Sequence, residues 1–146
     1  LCDSSLERRD VIYARVSSNE QKTKGDLDRQ AMYLIEHVDN LINPLVLKEV
    51  GSGLDDKSKK LIELINLVCN DQVRNVYITY KDRLTRFGFN YLSEMFKAHN
   101  VEIIVVKDIN EENDVKEELV EDMMSLIASF SGKLYVMRSK TNKGRK

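Results

Sequence analysis

The chain alternates short runs of β-branched and aromatic residues with longer stretches in which apolar residues recur at helical spacing. The short runs predict strands at 11–16, 45–50, 73–80 and 101–106. The longer stretches predict helices at 27–38, 58–69 and 89–99, and the polar residues 18–26 predict a loop. Strands that alternate with helices in this way indicate an α/β fold, a mainly parallel sheet with helices on both faces.

The last part of the chain follows a different apolar pattern. From Val115 the apolar residues recur in steps of three and four, as in a coiled-coil seam, at Leu119, Met123, Leu126, Phe130, Leu134 and Met137. Three further residues widen this stripe, namely Val120, Met124 and Ile127. The pattern predicts a long C-terminal helix that forms an interface. The alternative is that this helix only packs on its own sheet.

A length of 146 residues predicts one domain. Within it we expect a leader or linker remnant at 1–10, a core at 11–112, and a long helix with a basic tail at 113–146. The net charge of −1 conceals an acidic stretch at 108–122 and a basic one at 138–146. Because a local basic tail can contact phosphates, nucleic acid remains a candidate partner. The tail residues that we predict to contact DNA are Arg138, Lys140, Lys143 and Arg145.

The two cysteines, Cys2 and Cys69, do not form a disulfide framework. Cys69 ends an apolar helical pattern, and we expect it to be a small buried hydrophobe in a protein of the reducing cytoplasm. The sequence contains no apolar stretch long enough to cross a membrane and no signal peptide, so we expect no membrane partner.

The candidate chemistry lies where predicted strands end. Ser17 follows the first strand beside Arg15, and the segment 80–86 adds Asp82, Arg83 and Arg86 after the third. Guanidinium groups around a hydroxyl suit chemistry on a phosphodiester, because their planar forks orient and neutralise phosphate oxygens.

Taken singly, these residues also fit plain structural roles. A serine at a strand end commonly caps a turn, and 82–86 alone fits a surface turn with an ion pair. The two histidines, His37 and His99, lie near predicted helix ends, which leaves Ser17 without an obvious histidine base. No cluster has metal-ligand spacing, and no glycine-rich phosphate loop is present. We therefore predict no metal and no cofactor.

Taken together, the segments 13–18, 27–30, 51–53 and 81–86 resemble the catalytic domain of the serine recombinases, the resolvase/invertase superfamily. The resemblance extends over roughly residues 11–146. Segments 86–89 and 118–131 resemble one branch, the serine transposases of small insertion sequences, which carry a MerR-like DNA-binding domain before the catalytic domain. On this resemblance we expect the chain to be an excised catalytic domain.

The resemblance implies a catalytic set made of Ser17, Arg15, Asp82, Arg83, Arg86 and Gln30. Ser17 would attack a DNA phosphodiester and form a 5′-phosphoserine link, so that rejoining needs no nucleotide cofactor. The arginines would surround the scissile phosphate, and Gln30 would lie near it. Two roles stay open for Asp82, handling the proton of the 3′-oxygen leaving group or holding an arginine in place.

The implied partners are double-stranded DNA and further copies of the chain, as a homodimer and a synaptic homotetramer joined through residues 115–137. Three alternatives remain open: a resolvase/invertase-type site-specific recombinase, a phosphoesterase acting on small phosphate esters, and a non-catalytic oligomerisation module.

The sequence departs from the family pattern at one position. The family usually has an arginine just before the second helix, where this chain has Ser58. Lys57, Lys59 or Lys60 could supply the charge, but without the bidentate fork.

Overall fold

A computed structural model describes residues 8–17 and 21–144 of the chain, and the side chains of residues 8–17 and 25–137. The chain divides into two compact units, one ending at Glu111 and the other beginning at Glu112. The first unit contains a sheet of four parallel strands: β1 (Arg9–Val16), β2 (Leu45–Val50), β3 (Val73–Ile78) and β4 (Glu102–Val105). Their order across the sheet is β2-β1-β3-β4.

Four helices connect or follow the strands of this unit: α1 (Gln21–His37), α2 (Lys59–Cys69), the one-turn helix α3 (Lys81–Leu84) and α4 (Phe89–Ala98). Alternate residues of a strand point to opposite faces of the sheet, which creates two apolar cores. On one face, strand residues such as Tyr13 and Val76 form a cluster with Leu64 and Phe96 of α2 and α4. On the other face, Ile12 and neighbouring residues form a cluster with α1. The predicted α/β fold is confirmed.

Two short segments differ from the prediction. Residues 18–26 were expected to form a loop, but α1 begins at Gln21, since Gln21, Lys22 and Lys24 are good helix formers and one glycine within a helix is tolerated. Residues 18–20 lie outside the described part of the chain. β3 ends at Ile78, and 81–84 form α3 instead of a loop, because the Arg83 amide donates to the carbonyl of Tyr80 at 3.0 Å and closes a turn.

The prediction that Cys69 is buried is wrong. Cys69 is the last residue of α2 and is exposed. Leu64 and Val68 carry the face of α2 that packs on the sheet, and a residue one position further along a helix points about 100° away from that face. The strand predicted at 101–106 is β4, whose residues are exposed or half-buried because it lies at the edge of the sheet.

The second unit is a single helix, α5 (Glu112–Gly144), preceded in the chain by a 3₁₀ turn (Ile109–Glu111). Its 33 residues give a length of about 50 Å. Large apolar side chains along it are 39% to 64% exposed: Leu119, Val120, Met124, Ile127, Phe130, Leu134 and Met137. The predicted long helix is confirmed, and these seven side chains of its apolar stripe are exposed. No helix in the described part of the chain is long and apolar enough to cross a membrane.

Candidate active site

The carboxyl ends of three parallel strands bring the predicted site segments to one edge of the sheet. Ser17 follows β1 directly and is partly exposed. Gly51 follows β2, and its amide donates to the carbonyl of Val16 at 2.8 Å. Helix α3 begins at Lys81, shortly after β3 ends. These segments therefore meet at the edge where parallel α/β sheets bind their ligands.

Arg15 joins the loops of this edge from inside the protein. It is 2% exposed, and its guanidinium donates to three backbone carbonyls. Nε bonds the oxygen of Arg83 at 3.0 Å, Nη1 bonds that of Gly51 at 2.8 Å, and Nη2 bonds that of Asp82. Because one rigid fork spans the loop after β2 and helix α3, Arg15 fixes the distance between them.

Gln30 reaches the site from α1 and binds the backbone of Arg15. Its Oε1 accepts a hydrogen bond from the Arg15 amide at 3.0 Å, and its Nε2 donates to the Arg15 carbonyl at 3.2 Å. Gln30 is buried on this side of the sheet. The structure therefore places the Gln30 amide on the last residues of β1, where it fixes the strand that leads into Ser17.

Arg86 and Asp82 form an ion pair across the end of α3. Arg86 Nη1 lies 2.5 Å from Asp82 Oδ2, and the two residues are four positions apart. The backbone amide of Arg86 donates to the carbonyl of Gly53 at 2.9 Å, so the loop after β2 also holds this residue. The ion pair and the amide bond thus hold Arg86 between α3 and the loop after β2.

Arg83 is held by residues that the sequence did not single out. It is 2% exposed, and its Nε donates to Glu111 Oε2 at 2.7 Å. The hydroxyl of Thr79 donates to the same oxygen, also at 2.7 Å. In the sequence Glu111 is one of several acidic residues in the stretch 108–122, and no local signal separates it from its exposed neighbour Glu112.

The site therefore combines guanidinium and carboxylate groups in a buried setting. Buried charges are costly unless they are paired or hydrogen-bonded. The carboxylates of Asp82 and Glu111 pair with Arg86 and Arg83, and three carbonyl dipoles surround Arg15. Three guanidiniums and two carboxylates leave one positive charge among these five side chains, which is suited to an anionic phosphodiester.

Ser58 is the N-cap of α2, at the position where the resemblance leads us to expect an arginine. Its hydroxyl donates to Glu49 Oε1 on β2, and the same carboxylate oxygen accepts the Lys60 amide at 2.9 Å. Tyr13 is buried nearby, and its hydroxyl has no hydrogen bond of normal geometry. Burial raises the pKa of Tyr13 to about 12; the Glu49 carboxylate adds to this shift, while the nearby Ser58 hydroxyl and the Arg15 charge oppose it. Ser58 is therefore a helix cap bonded to a carboxylate.

Three of the four predicted DNA-contacting residues lie at the end of α5. Arg138, Lys140 and Lys143 belong to the helix, in a part where the structure describes the backbone alone, and Arg145 lies outside the described residues. Within the described ranges, no group of three or more His, Cys, Asp or Glu side chains could hold a metal ion.

Comparison with known proteins places this geometry in a family. The family model for the resolvase N-terminal domain matches residues 11–146. A relative from Acanthamoeba polyphaga mimivirus, named as a resolvase, is 34% identical over 133 residues, which cover 91% of this chain and 67% of that protein.

Two solved structures are similar over nearly the whole chain. A serine recombinase from Sulfolobus solfataricus is 45% identical, with a TM-score of 0.77 over 90% of this chain and 88% of that one. The C-terminal catalytic domain of ISC1926 TnpA, an IS607-like serine recombinase, is 46% identical, with a TM-score of 0.74 over 86% of this chain and 85% of that one. The chain therefore belongs to the resolvase family and is a catalytic domain of the serine recombinase type.

Proposed function

We propose that this chain cleaves and rejoins DNA as the catalytic domain of a serine transposase, with Ser17 as the nucleophile. One observation carries the proposal. A partly exposed serine follows β1 at the sheet edge where hydrogen bonds and ion pairs gather Arg15, Arg83 and Arg86. The similarity to an IS607-like serine recombinase supports the transposase branch over a resolvase or invertase.

In the proposed reaction, Ser17 Oγ attacks the phosphorus of a DNA phosphodiester. The Oγ–P bond forms, the bond from phosphorus to the 3′-oxygen breaks, and the proton lost by Ser17 is balanced by the proton that the 3′-hydroxyl gains. The phosphoserine ester retains the energy of the broken bond, and attack by a 3′-hydroxyl reverses the step. Guanidiniums stabilise the charge that builds on the phosphate oxygens in the transition state.

The contacts support a different role for each of the candidate catalytic residues. The ion pair of Asp82 with Arg86 supports the role in which Asp82 holds an arginine in place. The bonds of Gln30 to the Arg15 backbone support a positioning role for Gln30 rather than a phosphate contact. Arg15 orients the loops and adds positive charge, while Arg83 and Arg86 are proposed to contact the phosphate.

The proposed partners follow from the second unit. Double-stranded DNA is the substrate, and the basic residues at the end of α5 are proposed to contact its backbone. The exposed apolar stripe of α5 within residues 115–137 supports self-association into a homodimer and then a synaptic homotetramer, since large exposed apolar surfaces are uncommon on monomers.

The test is covalent capture of DNA by the full protein that carries this chain. The wild type and Ser17→Ala are incubated with a supercoiled plasmid that contains the DNA flanking the gene, and protein–DNA adducts are counted after denaturation. We expect adducts from the wild type and none from Ser17→Ala, with unchanged thermal stability. Ser93→Ala on α4 is the matched control, and it should form adducts at the wild-type level.

Each other outcome points to a different function. Normal adduct formation by Ser17→Ala contradicts the assignment of the nucleophile. A wild type that self-associates but never captures or cleaves DNA indicates the non-catalytic oligomerisation module. Turnover of p-nitrophenyl phosphate without DNA indicates a phosphoesterase.

A further inference from the structure

Glu111 provides the buried carboxylate that holds Arg83. Its Oε2 accepts Arg83 Nε and the Thr79 hydroxyl, each at 2.7 Å, and Glu111 is only 3% exposed. Thr79 itself is fully buried just beyond β3. Two donors from the end of one strand and the following helix therefore converge on a single carboxylate oxygen that reaches them from a distant part of the sequence.

The turn that carries Glu111 is fixed at several points. The hydroxyl of Tyr80 donates to the carbonyl of Asp108 at 2.7 Å. The Asp108 side chain accepts the Asn110 amide at 3.0 Å, and the Asp108 carbonyl accepts the Glu111 amide at 3.0 Å. Because the backbone of the turn is tied on both sides of Asn110, the Glu111 carboxylate meets Arg83 in one fixed geometry.

A buried ion pair of this kind adds little to the free energy of unfolding. The cost of removing two charges from water offsets much of their attraction, and apolar residues of the same size often stabilise a protein as well. What the pair does supply is orientation, because a charge-assisted bond at Nε fixes the plane of the guanidinium. The carboxylate therefore sets the direction in which the Nη edge of Arg83 points.

We propose that Glu111 is a positioning residue for DNA cleavage and acts through Nε of Arg83; the proposal rests on the function proposed above. The positioning role differs from a restraining role, in which the Glu111 carboxylate would lower activity by cancelling the charge of Arg83. Glu111→Gln separates the two roles, because the amide oxygen still accepts from Nε while the negative charge is lost.

Adduct formation by the full protein on the same plasmid measures the effect. We expect Glu111→Gln to stay within about threefold of the wild type, because the hydrogen bond is kept. We expect Glu111→Ala to lose about tenfold or more, because a guanidinium displaced by a fraction of an ångström no longer meets the phosphate. The matched control is Glu112→Gln, an exposed neighbour that pairs with Lys116 at 3.4 Å, and it should match the wild type.

A double-mutant cycle shows whether Glu111 acts through Arg83. Arg83→Lys keeps the positive charge but has no Nε donor, so adding Glu111→Ala to it should cost less than about twofold more. An equal loss in both backgrounds overturns the proposal, since it shows a general structural effect. A rise in activity with Glu111→Gln also overturns it, in favour of the restraining role.

A second readout does not depend on cleavage. In ¹⁵N-labelled protein, the Nε–H proton of Arg83 should exchange slowly with solvent in the wild type and in Glu111→Gln, and rapidly in Glu111→Ala. Unchanged exchange in Glu111→Ala overturns the proposal. If the wild type forms no adducts while the Nε–H result is as expected, the proposed function fails but the positioning of Arg83 by Glu111 stands.

Discussion

Replacing Gly53 with alanine tests how closely the candidate site is packed. A Cβ at this position would lie 3.1 Å from Arg15 Nη2, 3.2 Å from the backbone nitrogen of Arg86 and 3.3 Å from Arg86 Cβ. None of these atoms moves freely. Arg15 Nη2 is bonded to the Asp82 carbonyl, and the Arg86 amide is bonded to the carbonyl of Gly53 itself at 2.9 Å.

The expected loss of stability follows from these contacts. Carbon atoms pack comfortably at about 3.5–4.0 Å, so all three contacts are too short by a few tenths of an ångström. Overpacking a buried site costs about 1–3 kcal/mol. Alanine also lowers the conformational entropy of the unfolded chain, which by itself raises the free energy of unfolding by about 0.4–1 kcal/mol. We therefore expect Gly53→Ala to lower the free energy of unfolding by about 1–2 kcal/mol, or about 3–8 °C in melting temperature.

The rate of adduct formation should fall as well. The methyl group would push apart Arg15, which orients the loops of the proposed site, and Arg86, which is proposed to contact the phosphate. A shift of a few tenths of an ångström should slow adduct formation about tenfold, since misplacement by about 1 Å can cost about a hundredfold.

The assay combines thermal unfolding with adduct formation by the full protein. The matched control is Gly25→Ala in α1, where a Cβ meets nothing within 4 Å. Removing a helical glycine should raise the free energy of unfolding by about 1 kcal/mol and leave the adduct rate unchanged. The reasoning is refuted if Gly53→Ala is as stable and as active as the wild type, or if both variants shift stability in the same direction.

Three further substitutions test other parts of the structure. Tyr13 has a pKa of about 12 in the folded protein and about 10 when unfolded, so the stability that its neutral form contributes is complete below pH 10 and is lost as the pH rises toward 12. Between pH 9 and pH 11.5 the free energy of unfolding, measured with urea, should fall less in Tyr13→Phe than in the wild type, by up to about 2.7 kcal/mol. An unchanged pH profile would contradict the burial of the hydroxyl. Ser58→Arg should raise the rate of adduct formation, because it places a guanidinium beside Glu49, and should lower the free energy of unfolding by about 1 kcal/mol through loss of the helix cap; an unchanged or lower rate would contradict a need for the arginine at this position. Gly88→Ala should lower the free energy of unfolding by about 1–2 kcal/mol in thermal unfolding, because Gly88 immediately precedes α4 with φ of 81°, and equal stability would argue against that backbone conformation.

Much of the fold followed from local sequence pattern. Short runs of β-branched and aromatic residues predicted strand β2 at its observed bounds and the other strands to within about two residues, since such side chains favour the extended backbone of a sheet. The short helix α3 was missed because four residues are too few to show a period. The exposure of Cys69 was missed because it depends on where the packed face of α2 ends.

The sequence by itself determined the fold class, the long helix with its apolar stripe, and the segments around Ser17 and Arg83 that resemble the serine recombinases. These properties depend on residue type and on spacing along the chain, and both can be read directly from the sequence. The tertiary structure alone decided what each charged group touches. It bonded Arg15 to three carbonyls, turned Gln30 onto the backbone of β1, and brought Glu111 to Arg83 across 28 positions of sequence. Such pairings arise because loops from separate strands converge at one sheet edge, where each buried charge requires a partner.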